Sequence, residues 1–480
     1  MKKLVIFGFV LEFFALMLFY GYAYPIVPFW GDDFQHMSLY PTLSFTANSW
    51  IPSRLLPQYL QTNIANLGAY VIAPLMHLDF LDSIALACAF VLSSAFVGFH
   101  ILLYFCVFHL IGHKLRSLLL SSVFFLGCVA LAKPQMMPLL LPADLNAQGM
   151  GYLLTMVCFY TLPYLVNLGL VVAIITFLIT KQSQLSSRSI IGGGGAAATI
   201  VYLAIFSMES ASVLLASFAG CMLLSRVFTA YREHKSLALV LKTRTFFDVC
   251  LVAIIILWAI ALWQMMHSGR AGYCASFELT RGIAYLDTTL KGIRVGFVQL
   301  FVAVYILSLF GAFWIKTPQH RLLLFALTLW IPCLVVFYTL TTSKCGATWY
   351  LMSGLFMAML VFMVVAISIF VARYRASYTL ISLLFFIAFF QTLQPYKERP
   401  RAAYTYFKSY SQSWIEQMQQ AQNEGKTHIE IYVPEYFGHH HWNSWFAPGF
   451  SKTLQTYGLL GQDIRVTFKP IITAPKNQYD

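Results

Sequence analysis

Apolar runs of about twenty residues recur along almost the whole chain, separated by short polar joints, and a helix needs about that length to cross a bilayer. Inside hydrocarbon every backbone polar group must find its partner within the chain, which leaves helices or a closed barrel. Uniformly apolar runs of this length are helices. The balance of residues agrees: 59% are hydrophobic and only 10% charged, with a mean hydropathy of +0.71. Soluble domains carry roughly 25% charged residues. The expected fold is an all-α polytopic membrane bundle of about eleven spans. They lie near residues 4–24, 84–110, 117–132, 155–180, 190–206, 211–230, 246–266, 295–315, 322–342, 350–372 and 379–393. The first run follows Met1-Lys2-Lys3 and has no small-residue cleavage site after it, so it reads as a retained helix rather than a leader.

A net charge of +13 invites a nucleic-acid reading, but the positions of the charges argue against one. Lys2, Lys3, Lys114, Arg116, Arg232, Lys316 and Arg321 fall in one alternate set of loops, and the other set is poorer in Lys and Arg. The positive-inside rule makes the rich set cytoplasmic. The N-terminus is then on the cytoplasmic side of the membrane, and loop 25–83 and the tail are outside. Membrane lipids are the expected surroundings and nucleic acid is not an expected partner. The nine cysteines show no metal-binding spacing. Cys274 and Cys345 fall in loops on the outer side, as a disulfide or as two unrelated thiols.

Residues 1–393 form the membrane domain in this reading, and composition changes near Gln394. The remainder, 394–480, reads as a small α/β extracytoplasmic domain. A helix over 402–423 ends at Glu424-Gly425, and His428–Val433 alternates as a strand. A second helix is expected over 451–459 and a second strand over 464–468. Gly192-Gly193-Gly194-Gly195 lacks the Gly-Lys-Ser/Thr ending of a phosphate loop. Close helix packing by small residues is the expectation there.

The chemistry-bearing residues start with Trp30-Gly31-Asp32-Asp33-Phe34-Gln35-His36, directly after the first span. A carboxylate at the mouth of a bundle can take a proton from a hydroxyl or hold a divalent cation. Neighbouring residues on a helix point in different directions, so one acid would act while the other orients a loop or pairs with Arg54. The plainer alternative is a solvated turn. His36 joins the substrate-binding candidates. Glu209 sits where two spans meet on the same side, and Glu12 lies in mid-span, protonated or paired, or coupled to proton movement. Arginine forks suit phosphate, which makes Arg54 and, within one loop, Arg270, Arg281 and Arg294 the candidates for a lipid phosphate. In the tail, Gly438-His439-His440-His441-Trp442-Asn443-Ser444-Trp445 cannot place three histidines on one face for zinc. Trp442 either stacks on a sugar or anchors a loop.

With these residues in place the chain resembles the bacterial polytopic glycosyltransferases of the GT-C class, in particular the O-antigen glucosyltransferases. Asp32-Asp33-Phe34 stands where that class carries an acidic motif, in the first outer loop, and Trp50-Ile51-Pro52-Ser53-Arg54 loosely matches an aromatic, Arg-containing segment after it. Glu209 looks like a further acid on a short hairpin, and the soluble C-terminal segment is also similar. The resemblance implies a polyprenyl-phosphate-linked sugar donor and a surface glycan acceptor of O-antigen or lipopolysaccharide type. It implies transfer with inversion, with Asp32 as base and Asp33 in support. Some members use Mg or Mn and others no metal. The alternatives are an O-antigen ligase or polymerase, which would centre on a large late loop, and a lipid-linked sugar transporter, which would show two related halves.

Overall fold

The computed structural model describes residues 2–23, 25–26, 31–38, 54–130, 154–180, 187–234, 245–267, 277–292, 295–345, 350–373, 400–434 and 446–471. Among the described residues eight helices are long and apolar enough to cross a membrane. In chain order the first helices are α1 (Lys2–Leu18), α2 (Gly31–Ser38), α3 (Leu55–Leu67), the short α4 (Ala73–Met76), α5 (Phe80–Ile111) and α6 (Lys114–Ala130). A short α7 (Leu154–Met156) runs through a π-helical turn, Val157–Thr161, into α8 (Leu162–Thr180). Then come α9 (Ser187–Ile205), α10 (Glu209–His234), α11 (Phe246–His267), α12 (Leu279–Gly292), α13 (Val295–Trp314), α14 (Pro318–Cys345) and α15 (Tyr350–Arg373).

Of the eleven expected spans, 117–132 corresponds to the 17-residue α6 and 190–206 to α9, neither of them among the eight. The stretch 379–393 lies outside the described residues. Local chemistry sets the helix ends. Asp79 accepts the backbone N–H of Asp82 at 2.8 Å and so caps α5, and Gly112, in the left-handed region at φ 75°, closes it with an N–H to Phe108 O at 2.7 Å. At the far end of α10, Arg226 forks onto Asp248, whose carboxylate also receives the N–H of Thr245 at 2.7 Å, an N-terminal box that starts α11.

The bundle has an inside and a rim. In α15, 89% of the spanning window is buried, whereas in α1 only 11% is, so α15 is the core post and α1 lies on the perimeter. Leu4, Phe7, Leu11, Phe14 and Leu18 of α1 are exposed, an apolar face that only lipid satisfies. Tight packing is not found at the end of the glycine run: an added Cβ at Gly195 would meet open space, and residues 196–198 are exposed. The surroundings of Gly192, Gly193 and Gly194 lie outside the described residues. Close approach occurs elsewhere, at Gly68, where an added Cβ would stand 2.8–2.9 Å from the backbone of Ser83 and Ile84.

The C-terminal segment holds α16 (Pro400–Asn423), β1 (His428–Pro434), α17 (Ala447–Thr456) and β2 (Arg465–Ile471). The strands pair in parallel, His428 opposite Arg465, and α17 lies in the crossover that a parallel pair requires. Gly425, at φ 69°, ends α16, with the N–H of Lys426 returning to Ala421 O at 2.9 Å. Trp414, Phe446, Phe450 and Phe468 pack together beneath the strands.

Candidate functional site

Glu209 opens α10 directly after the tight turn that ends α9. Three buried side chains from other helices brace that turn. Asn167 Nδ2 lies 3.1 Å from Ala204 O and 3.2 Å from Ser207 Oγ, Tyr338 donates to Ser210 O at 2.6 Å, and Tyr164 donates to Ser210 Oγ at 3.2 Å. Gly354 makes room for both tyrosines: a Cβ there would stand 2.5 Å from Tyr338 Oη and 2.6 Å from the Tyr164 ring. Buried turn carbonyls without partners are costly, and these side chains supply the partners. The start of α3 joins the same turn through Leu56 N–H to Phe206 O at 3.5 Å.

Arg54, just before α3, reaches Glu209 at 3.5 Å across 155 residues of chain. Both side chains are largely buried, at 11% and 14% exposure, and the guanidinium lies 5.8 Å from the centroid of the Phe159 ring. Each partner keeps a buried polar atom without a hydrogen bond among the described residues, Nε of Arg54 and Oε1 of Glu209. Gln61 Oε1 is a third such atom in α3. A buried unsatisfied polar group costs about 1–3 kcal/mol, so these atoms are a standing cost in the folded chain.

On α2, Asp33 is fully buried and accepts both the N–H of Thr155 at 2.7 Å and its hydroxyl at 2.5 Å. Thr155 lies in the first turn of α7, where backbone N–H groups lack helical partners and the helix dipole favours an anion. Asp33 is therefore a tertiary cap on the helix leading into the 154–180 span. Gln61 Nε2 lies 3.1 Å from Asp33 O and 3.2 Å from Thr155 Oγ1, locking the corner between α2, α3 and α7. His36, one turn on, is buried with its ring 4.7 Å from that of Phe159, so Phe159 touches both His36 and Arg54.

Four of the sequence candidates thus meet at one end of the bundle: Asp33, His36, Arg54 and Glu209. Arg54 pairs with Glu209 rather than with Asp33, because the braced turn puts Glu209 beside it while Asp33 turns to Thr155. Asp32 lies in α2, but its side chain is outside the described residues, as are Arg270, Arg294, Trp442 and Cys274 and the side chain of Cys345. Arg281 is held elsewhere, at 2.8 Å from Glu278 on α12. Thr155, Gln61 and Phe159 were missed in the sequence, where a Thr, a Gln and a Phe in apolar surroundings carry no local signal. Among the described residues no three His, Cys, Asp or Glu side chains come together as a metal site. Glu12, the mid-span acid, lies 2.7 Å from His100 Nδ1. A search of protein-family models, curated proteins and solved structures finds no match to this chain.

Proposed function

We propose that the chain is an inverting membrane glycosyltransferase of GT-C type, which moves a sugar from a polyprenyl-phosphate donor to a glycan outside the cell. The observation that carries the reading is the meeting of Arg54, Glu209 and the acidic helix at one bundle end, with an unpartnered guanidinium nitrogen and an unpartnered carboxylate oxygen. A guanidinium edge fits a lipid phosphate and neutralises it as it leaves. The base is Asp32: it stands one residue before Asp33 and about 100° around the same helix. Asp33 itself is spent on Thr155 and positions the helix. In the step, Asp32 takes the proton of the acceptor hydroxyl and the oxygen attacks the anomeric carbon from the face opposite the donor phosphate. The bond to phosphate breaks, and polyprenyl phosphate leaves against Arg54. Glu209 orients Arg54 and accepts hydrogen bonds from sugar hydroxyls. On this reading the acidic-helix end faces outward and the C-terminal unit is extracytoplasmic.

The test is mass spectrometry of the surface glycan from cells carrying wild type, Asp32→Asn, Asp33→Asn and Arg54→Gln at matched levels in the membrane. The expected result is a hexose-sized addition by wild type, abolished by Asp32→Asn and strongly reduced by the other two. A wild type that adds no mass overturns the reading, and so does an Asp32→Asn variant that adds it normally.

A further inference from the structure

The acidic helix cannot stand alone. With eight residues, α2 is shorter than the ~12–15 at which even good helix formers become marginal in water. Its place is set by side chains that bind its carbonyl oxygens, and these come from two directions. From α3, Gln61 reaches Asp33 O and Thr62 reaches His36 O, both at 3.1 Å. From α17, more than four hundred residues along the chain, Thr453 Oγ1 donates to Phe34 O and the Tyr457 hydroxyl lies 3.1 Å from Met37 O. The Tyr457 hydroxyl is also 3.2 Å from the side-chain amide of Asn66, so it ties α2, α3 and α17 together. Phe34 completes the joint. Its ring is fully buried, edge-on to Phe450 at 4.7 Å and to Phe446 at 5.7 Å, so it sits in the core of the C-terminal unit rather than in that of the bundle. Asp33 and Phe34 are neighbours, one plugged into α7 and the other into α17.

We infer that Thr453, Tyr457 and Phe450 are positioning residues for the acidic helix, so that the site is assembled only while the C-terminal unit is docked. This rests on the proposed transferase reading for its catalytic consequence, though not for its geometry. A second contact strengthens the docking. Lys408 of α16 lies 2.5 Å from Asp79 and 2.7 Å from Asp82, and Tyr404 donates to Asp82 at 2.7 Å. Tyr70 donates to Thr456 O at 3.0 Å, and the Phe80 and Tyr457 rings approach to 5.2 Å. The C-terminal unit therefore grips both the acidic helix and the segment from Tyr70 to Asp82 beside it.

The experiment is hydrogen exchange by mass spectrometry on the full chain in lipid nanodiscs, with hexose transfer from a synthetic polyprenyl-phosphate hexose followed on the same nanodiscs. The variants are Thr453→Val with Tyr457→Phe, Phe450→Ala, and Thr453→Ser as the conservative control. Exchange in 31–38 is expected to rise about tenfold in Thr453→Val with Tyr457→Phe, the scale of one or two lost hydrogen bonds, and by at least as much in Phe450→Ala, which removes the ring that Phe34 packs against. In the double variant the strand peptide 428–434 and the span peptide 154–180 should stay protected, which shows that the unit and the bundle remain folded. Transfer should fall in kcat with little change in donor KM, and Thr453→Ser should behave as wild type. Unchanged exchange in 31–38 overturns the inference, as does normal turnover with a loosened helix. If 31–38 loosens as expected but wild type transfers no sugar, the joint stands and the transferase reading falls.

Discussion

Two polar clusters interrupt this apolar bundle, and they are built on opposite rules. At one end, Arg54, Glu209, Gln61 and Asp33 come from short helices and a turn, and three of their buried polar atoms have no partner among the described residues. Within the spans, about 30 Å along α5 from Asp79, Glu12, His100 and Ser121 come from three long helices and satisfy one another. His100 Nδ1 is 2.7 Å from Glu12, its Nε2 is 2.9 Å from Ser121 Oγ, and the Ser121 hydroxyl donates to Leu118 O at 3.0 Å. Each ring nitrogen of His100 thus has a partner on a different helix. The closed cluster ties the perimeter helix α1 to α5. The open cluster is held by braces it does not itself contain, and keeps its unpartnered atoms.

The largest effect that separates the two is at Arg54. Arg54→Met leaves Glu209 buried without its cation, and removing one partner of such a pair costs about 3–5 kcal/mol. Arg54→Met with Glu209→Met removes both charges and is expected to recover most of that stability. Equilibrium unfolding in detergent measures the two variants, and surface-glycan mass spectrometry measures transfer. The double variant should be well folded and inactive. Full activity in it would make the open cluster as structural as the closed one.

That result bears on how far the sequence could be read. Eight of the spans were legible because hydrophobic length is a local property, and so was the end of α16, where Gly425 carries its geometry in its own chemistry, whereas α5 starts at Phe80 rather than at the expected 84 because Asp79 caps it. Asp33 and Glu209 were visible as acids in costly places. Their partners were not. Thr155 and Gln61 become informative only when α7 and α3 are brought beside α2, and His100 reads as an ordinary residue of a span until α1 packs against it. The glycines misled in the same way. Four in a row promised contact and face open space at Gly195, while the solitary Gly354 holds the tightest joint of the site.

Gly354→Ala tests that joint. The new methyl meets Tyr338 and Tyr164, the two side chains that brace Ser210, and overpacking of this kind costs about 1–3 kcal/mol. Transfer is expected to fall further than stability alone explains, because the turn carrying Glu209 shifts with the tyrosines. If stability drops and the activity of the folded fraction does not, the brace is not what keeps the open cluster in place.

The closed cluster makes the opposite prediction. His100→Leu strands the Glu12 side chain and should cost about 1–3 kcal/mol, the range for a buried polar group left unsatisfied. Glu12→Gln keeps a neutral donor against His100 Nδ1 and should cost less than about 1 kcal/mol. Thermal unfolding in nanodiscs measures both, and transfer by the folded protein should be normal in each. A Glu12→Gln variant that is stable but inactive would show that the Glu12 carboxyl group is used, and the transporter alternative would then take precedence.

The smallest effect is the pH dependence of docking between α16 and the start of α5. Burial alone would raise the Asp79 carboxyl, but the Asp82 N–H and the Lys408 ammonium outweigh it and hold the group below its usual value. Burial alone would lower Lys408, and its two carboxylate partners raise it instead. A carboxylate with a depressed pKa stabilises above its unfolded value of about 3.9 and loses that contribution as pH falls through the depressed value. A lysine with a raised pKa stabilises below its unfolded value of about 10.4 and loses the contribution as pH rises through the raised one. Docking should therefore be flat between about pH 5 and pH 9.5 and weaken outside that window, by no more than about 1 kcal/mol because the pair is partly solvated. Hydrogen exchange of the 404–410 segment against pH measures it. Lys408→Met should move the acid limb upward, since Asp79 loses its cation but keeps the Asp82 N–H. A transition centred near pH 6.5 would instead put a histidine in control of the joint.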